Sequence, residues 1–165
     1  MSKLAIRNAL MGWVAMMFLA GVVQMLPEKV PTWSLPTNAG ATGSLLDLGG
    51  RPIGVLLYSS KVACGAHTAA LAEAVRVHEM LKESPRYSVK VVYGEATEEG
   101  ARTLAARFPD VPILLDPAKK LASELDFDSY AVVLYRPNGR IIELAKERQV
   151  MARPDLLELL DSKSK

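Results

Sequence analysis

An α/β fold, a mixed sheet flanked by helices, follows from three observations on this 165-residue chain. Apolar runs short enough for strands alternate with longer stretches of helical spacing. Turn and cap signals fall between them. Asn138-Gly139, between two β-rich segments, marks a hairpin near the end.

Ile53–Tyr58 is a continuous apolar run rich in branched residues and predicts a buried strand. Cys64–Lys82 carries Leu71, Val75, Val77 and Leu81 and predicts a long helix, with Pro85 just beyond it. Ser88–Tyr93 predicts the next strand. Thr97-Glu98-Glu99 supplies a cap and first-turn acids for a helix running to Phe108, before Pro109. Pro112–Asp116 predicts a short strand. Asp116-Pro117 predicts a cap followed by proline at the first helical position, for a helix to Leu125. Tyr130–Arg136 and Arg140–Leu144 flank the hairpin turn, and Arg153-Pro154 opens a last helix through Leu160. The order β-α-β-α-β-α-β-β-α makes the first two strands parallel, because a helix separates them. The hairpin adds antiparallel strands.

Ahead of this domain, Ala9–Leu26 reads ALMGWVAMMFLAGVVQML, with Gln24 its one strongly polar side chain. About 20 apolar residues cross a bilayer, so residues 9–26 are expected to be one transmembrane anchor. A cleaved signal peptide would share the basic start. The run is long for that, and no small-x-small site precedes Pro27. Lys3 and Arg7 place residues 1–8 in the cytoplasm. The C-terminal domain is then periplasmic on a single-pass inner-membrane protein. Residues 27–44, with Pro27, Pro31, Pro36, Gly40 and Gly43, read as linker and domain edge, and 45–165 as the domain proper. Trp33 fits either the domain edge or the membrane interface. A fragment from about residue 31 onward is expected to fold without the anchor.

Charge excludes one class of partner. The net charge of +2 equals Lys3 and Arg7, and the rest of the chain is balanced. No basic face for a nucleic acid is expected. Membrane and protein partners are expected instead.

The chemistry concentrates at Cys64-Gly65-Ala66-His67, which holds the chain's one cysteine. A cysteine at a helix N-terminus after a buried strand gains thiolate stability from the dipole and unpaired backbone N–H groups. His67, three residues on, can share a helical face with it and lower its pKa further as imidazolium. The competing reading is a small apolar residue in an inactive site. No metal or other cofactor is expected. Cys64 and His67 are only two ligands, and His78 sits about 16 Å farther along the helix axis. Asp116 reads as a cap rather than an acid or base, and Gly49-Gly50 as a turn without a phosphate-loop continuation.

Five stretches in order resemble the thioredoxin-like superfamily, most closely its redoxin branch of membrane-anchored bacterial thiol–disulfide proteins and peroxiredoxin relatives. Pro31-Thr32-Trp33-Ser34-Leu35 resembles that branch's Pro-x-Phe-x-Leu opening. Ser44–Pro52 resembles its Ser-Leu-x-Asp-Leu-x-Gly-Lys-Pro turn, and Leu57-Tyr58-Ser59-Ser60 the approach to its active site. Leu115-Asp116-Pro117 and Asn138-Gly139-Arg140-Ile141 resemble later landmarks. The resemblance covers about residues 31–160 and implies a thioredoxin-like fold with Cys64 in the active-site position.

Two departures qualify what it implies about activity. The family's Cys-Gly-Pro-Cys is Cys64-Gly65-Ala66-His67, without a resolving cysteine. The family's cis-proline, nine residues before the hairpin glycine, is Tyr130. Cys64, His67 and Tyr130 are therefore the candidate site residues, Tyr130 as a hydrogen-bond donor toward the sulfur. The expected function is a single-thiol redoxin-like protein. The alternative is a non-catalytic accessory or assembly subunit of a membrane complex.

Overall fold

The computed structural model describes residues 27–60, 66–94 and 97–146, with the side chains of 66–68 excepted. The expected anchor at 9–26, Cys64 and the expected last helix at 153–160 lie outside the described residues.

The main sheet has five strands in the order β5-β4-β3-β6-β7. These are β3 (Ile53–Ser60), β4 (Tyr87–Gly94), β5 (Ile113–Leu115), β6 (Tyr130–Tyr135) and β7 (Ile141–Ala145). β3 is parallel to β4, and β4 to β5, while β6 is antiparallel to β3 and β7 to β6. That is the expected mixed sheet. The central strand β3 is buried along its whole length, as its unbroken apolar run requires.

Helices cover both faces. α1 (Ala66–Leu81) and α2 (Glu98–Arg107) pack Ala70, Leu71, Ala74, Val77 and Leu104 against Val55, Leu57, Val91 and Val132. α3 (Lys120–Glu124) covers the opposite face, where Leu121 and Ala122 meet Leu56, Tyr58, Val92 and Val133. Alternation along the strands sends neighbouring residues into the two layers.

The N-terminal edge is more ordered than its prolines imply. β1 (Ser34–Pro36) and β2 (Thr42–Ser44) form a small antiparallel hairpin. Leu35 and Leu45 are buried in the α3 layer, and Asn38 bonds Ile113 and Val111 across to β5. Upstream, Val30 N–H donates to Gly139 O and Ile141 N–H to Glu28 O, both at 2.9 Å. Residues 28–44 are thus integrated into the domain rather than strung beside it. Two- and three-residue pairings carry no legible period, which is why sequence reads them as linker. Trp33 belongs to the domain edge. Its indole N–H donates to the Glu124 carboxylate and Lys120 sits 4.6 Å from its ring centroid.

α3 begins later than Asp116-Pro117 predicts. A turn closes with Lys119 N–H on Asp116 O, Lys119 takes φ +50°, and the helix starts at Lys120. Asp116 still caps it, because its carboxylate reaches forward to the N–H groups of Leu121 (3.2 Å) and Ala122 (3.3 Å). The other two turn signals hold as expected. Thr97 Oγ1 accepts from Gly100 N–H at 3.0 Å to cap α2, and Gly139 takes φ +83° in the hairpin turn.

Candidate functional site

The site is set by the end of β3. Ser60 closes that strand and Ala66 opens α1, so Cys64 falls within a five-residue connection and two positions before the helix. The helix's positive end acts on groups just before its first turn. That turn contains no acidic residue to oppose a thiolate. His67 is the second residue of α1, and its side chain is not among those described.

Tyr130 opens β6 and is the Cα partner of Ser59 on β3. Their registers put both on the face that carries α1, with Leu57 and Val132 next along it. Ser59 is wholly buried, Tyr130 nearly so, and neither hydroxyl has a hydrogen-bond partner among the described residues. A buried hydroxyl without a partner costs about 1–3 kcal/mol. Two side by side at the strand end that leads to Cys64 are therefore a feature of the site. Ser59 is the residue that sequence reasoning missed as a site candidate. Its one signal was its place in the Leu57-Tyr58-Ser59-Ser60 approach, where a polar residue follows an apolar run. The separation between Tyr130 and Cys64 lies outside the described residues.

The opposite face is closed by a polar knot. Tyr58 O–H donates to Asp116 at 3.1 Å, and Asp116 is wholly buried. Burial first, then the charge of Asp116 and their hydrogen bond, raise the Tyr58 phenol well above the ordinary tyrosine range. Phe127 packs edge-on to the Tyr58 ring at 4.7 Å. Gly94, at the end of β4, leaves room for this ring: a Cβ there would stand 2.4 Å from Tyr58 Oη and 2.7 Å from Ser60 Cβ. The knot ties the end of β3 to the start of α3.

Among the described residues no group of three His, Cys, Asp or Glu side chains is placed to hold a metal ion. No helix among them is long and apolar enough to cross a membrane.

A parallel βαβ unit with antiparallel strands on one side and helices on both faces is a thioredoxin-like fold, and in the sequence the cysteine falls between its first strand and helix. Solved structures share this fold. A thiol:disulfide interchange protein DsbE of Chlorobium tepidum superposes with a TM-score of 0.62 at 19% identity, over 83% of this chain and 93% of that one. A thiol-disulfide oxidoreductase of Bacteroides fragilis gives 0.62 at 17% identity, over 80% and 99%. An exposed lipoprotein thioredoxin of Streptococcus pneumoniae gives 0.60 at 18% identity, over 79% and 98%. At these identities the likeness is one of fold. No protein-family model and no curated protein sequence matches the chain.

Proposed function

We propose that this chain is a single-thiol redox protein that acts through Cys64 and is held at the periplasmic face of the inner membrane by residues 9–26. The observation that carries the reading is the position of the chain's one cysteine, between the central parallel strand and the N-terminus of α1. Helix dipole, an acid-free first turn and His67 all favour the thiolate there. Ser59 and Tyr130 add two hydroxyl donors without partners among the described residues at the same end of β3.

The chemistry is half of a dithiol cycle. The Cys64 thiolate attacks one sulfur of a partner protein's disulfide. The partner's S–S bond breaks, a mixed disulfide forms, and the other partner sulfur leaves as thiolate. With no second cysteine in the chain, a thiol from outside must attack the mixed disulfide and return Cys64 to its reduced form. Turnover with a simple disulfide substrate such as insulin is consequently expected to be weak. Lys3 and Arg7 support the orientation of the anchor.

The missing second thiol also supports the other reading, an accessory or assembly subunit whose surface and anchor are what matter. Cys64→Ser separates the two. The redox reading expects the substitution to abolish function and to remove every mixed-disulfide adduct trapped by rapid acid quenching. Full function in Cys64→Ser, lost on deleting residues 9–26, establishes the subunit instead. A C-terminal reporter active only in the cytoplasm would refute the topology.

A further inference from the structure

A concave site lies at the N-terminal end of β4. β5 pairs only with Val91–Tyr93, so the first half of β4 has an open outer edge. The β1–β2 hairpin and the C-terminal end of α1 wall this edge into a pocket of about 430 Å³. Volumes of about 300–1,000 Å³ are typical of small-molecule sites.

Its lining is electrostatically one-sided. Arg51, Lys82 and Lys90 contribute to it, together with the hydroxyl residues Thr42, Ser44 and Ser88, and no Asp or Glu does. Arg51 is held in place, with Nε on Ser84 O at 2.8 Å and one terminal nitrogen on Lys82 O at 2.9 Å. This leaves its other terminal nitrogen uncommitted to those carbonyls. Lys90 is half-buried on the strand, and its side-chain ammonium forms no hydrogen bond or ion pair among the described residues. Burial holds its ammonium below the ordinary lysine range, against the opposing pull of Asp47 and with a smaller push from Arg51. Lys82 is paired with Glu79 at 2.6 Å, and Glu83 and Asp110 also face it from outside the lining. His78 closes the floor through its Nδ1, 3.3 Å from Val89 O, the edge carbonyl that β5 leaves uncovered. Its burial lowers its pKa, so near neutral pH the ring donates to that carbonyl as the uncharged form. The cations that remain to meet a ligand are Arg51 and Lys90.

We propose that this pocket binds a small multivalent oxyanion, a molecule bearing phosphate or carboxylate groups. Lys90 supplies the central charge, Arg51 a fixed second donor, and the hydroxyls of the hairpin the rim. A half-buried ammonium held in no direct ion pair among the described residues gains more from an arriving anion than a solvated surface lysine does. The site lies at the opposite end of β4 from Gly94, which pairs with Ser60 at the end of β3, and it stands independently of the thiol chemistry.

The test titrates the full chain with sodium pyrophosphate and, in a second arm, with citrate, at constant ionic strength, by calorimetry. Binding by at least one anion is expected, and which one binds names phosphate or carboxylate as the ligand group. Lys90→Gln should weaken it about tenfold, equivalent to about 1.4 kcal/mol. Lys119→Gln removes the same charge from an exposed lysine outside this pocket and should change it less than twofold. Thermal unfolding without ligand shows that Lys90→Gln is folded. Absence of binding by both anions at 10 mM, or equal weakening by the two variants, overturns the proposal.

Discussion

Asp116→Ala is the sharpest structural perturbation that the fold offers. It removes one buried carboxylate and strands three donors at once: Tyr58 O–H, Leu121 N–H and Ala122 N–H. Each buried donor left without a partner costs about 1–3 kcal/mol. The N–H groups of α3 regain part of this from water near the helix end, so a total of about 4 kcal/mol is expected. That is a large part of a typical domain stability of about 5–15 kcal/mol. Tyr58→Phe removes one donor and leaves Asp116 with its two helix contacts, for an expected cost of about 1–2 kcal/mol. The two changes share a partner and should not add. In the Tyr58→Phe background no phenol is orphaned, so Asp116→Ala should cost about 1–2 kcal/mol less than it does alone. Equilibrium urea unfolding of residues 27–165, followed by circular dichroism, gives all four corners of the cycle. A single-mutant cost below about 1 kcal/mol, or additivity within about 0.5 kcal/mol, would refute the reasoning.

Three further outcomes follow from named contacts. Gly54→Ala should destabilise by at least about 2 kcal/mol by urea midpoint, because its Cβ would stand 2.3 Å from the Tyr135 ring. That ring is fixed by Tyr135 O–H on Leu45 O at 2.6 Å, and shortening it in Gly54→Ala/Tyr135→Leu should restore part of the loss. A fragment starting at residue 31 should fold but be about 2–4 kcal/mol less stable than one starting at 27, since it lacks buried Val30 and the Glu28–Ile141 and Val30–Gly139 pairings; equal urea midpoints would contradict this. His78 is held below the ordinary histidine pKa by burial, so the unfolded chain takes up a proton that the folded one resists. Its stabilising contribution is complete above the unfolded value of about 6.5 and is lost as pH falls from there through the lower folded value, at no more than about 1.4 kcal/mol per pH unit. His78→Gln should flatten that part of the pH–stability curve, and an unchanged slope would show that His78 is not the titrating group.

The sheet was legible because its strands announce themselves chemically. Ile53–Ser60 is apolar almost throughout, and Asn138-Gly139 dictates its turn, with Arg140 N–H bonded back to Asn138 Oδ1. The β1–β2 hairpin was not legible. Three-residue strands show no alternation, and Pro36 sits at an edge where its missing N–H does no harm. The delayed start of α3 was hidden because Asp116 caps from farther away than a local pattern shows. At the site, Cys64 and His67 stood out by type and spacing. Ser59 did not, since a serine at a strand end carries meaning only once its cross-strand partner is known to be Tyr130. The oxyanion pocket was invisible for a similar reason. Lys90, Arg51 and Lys82 are ordinary surface residues in sequence, and only the short reach of β5 brings an open edge to them.

The central claim is that Cys64 is a reactive thiolate, and the rate of Cys64 alkylation against pH in the folded chain tests it most directly. The account predicts an inflection below the free-cysteine value of about 8.5, moving upward in His67→Ala. An inflection at or above 8.5, or a thiol that reacts only after the chain is unfolded, would contradict it.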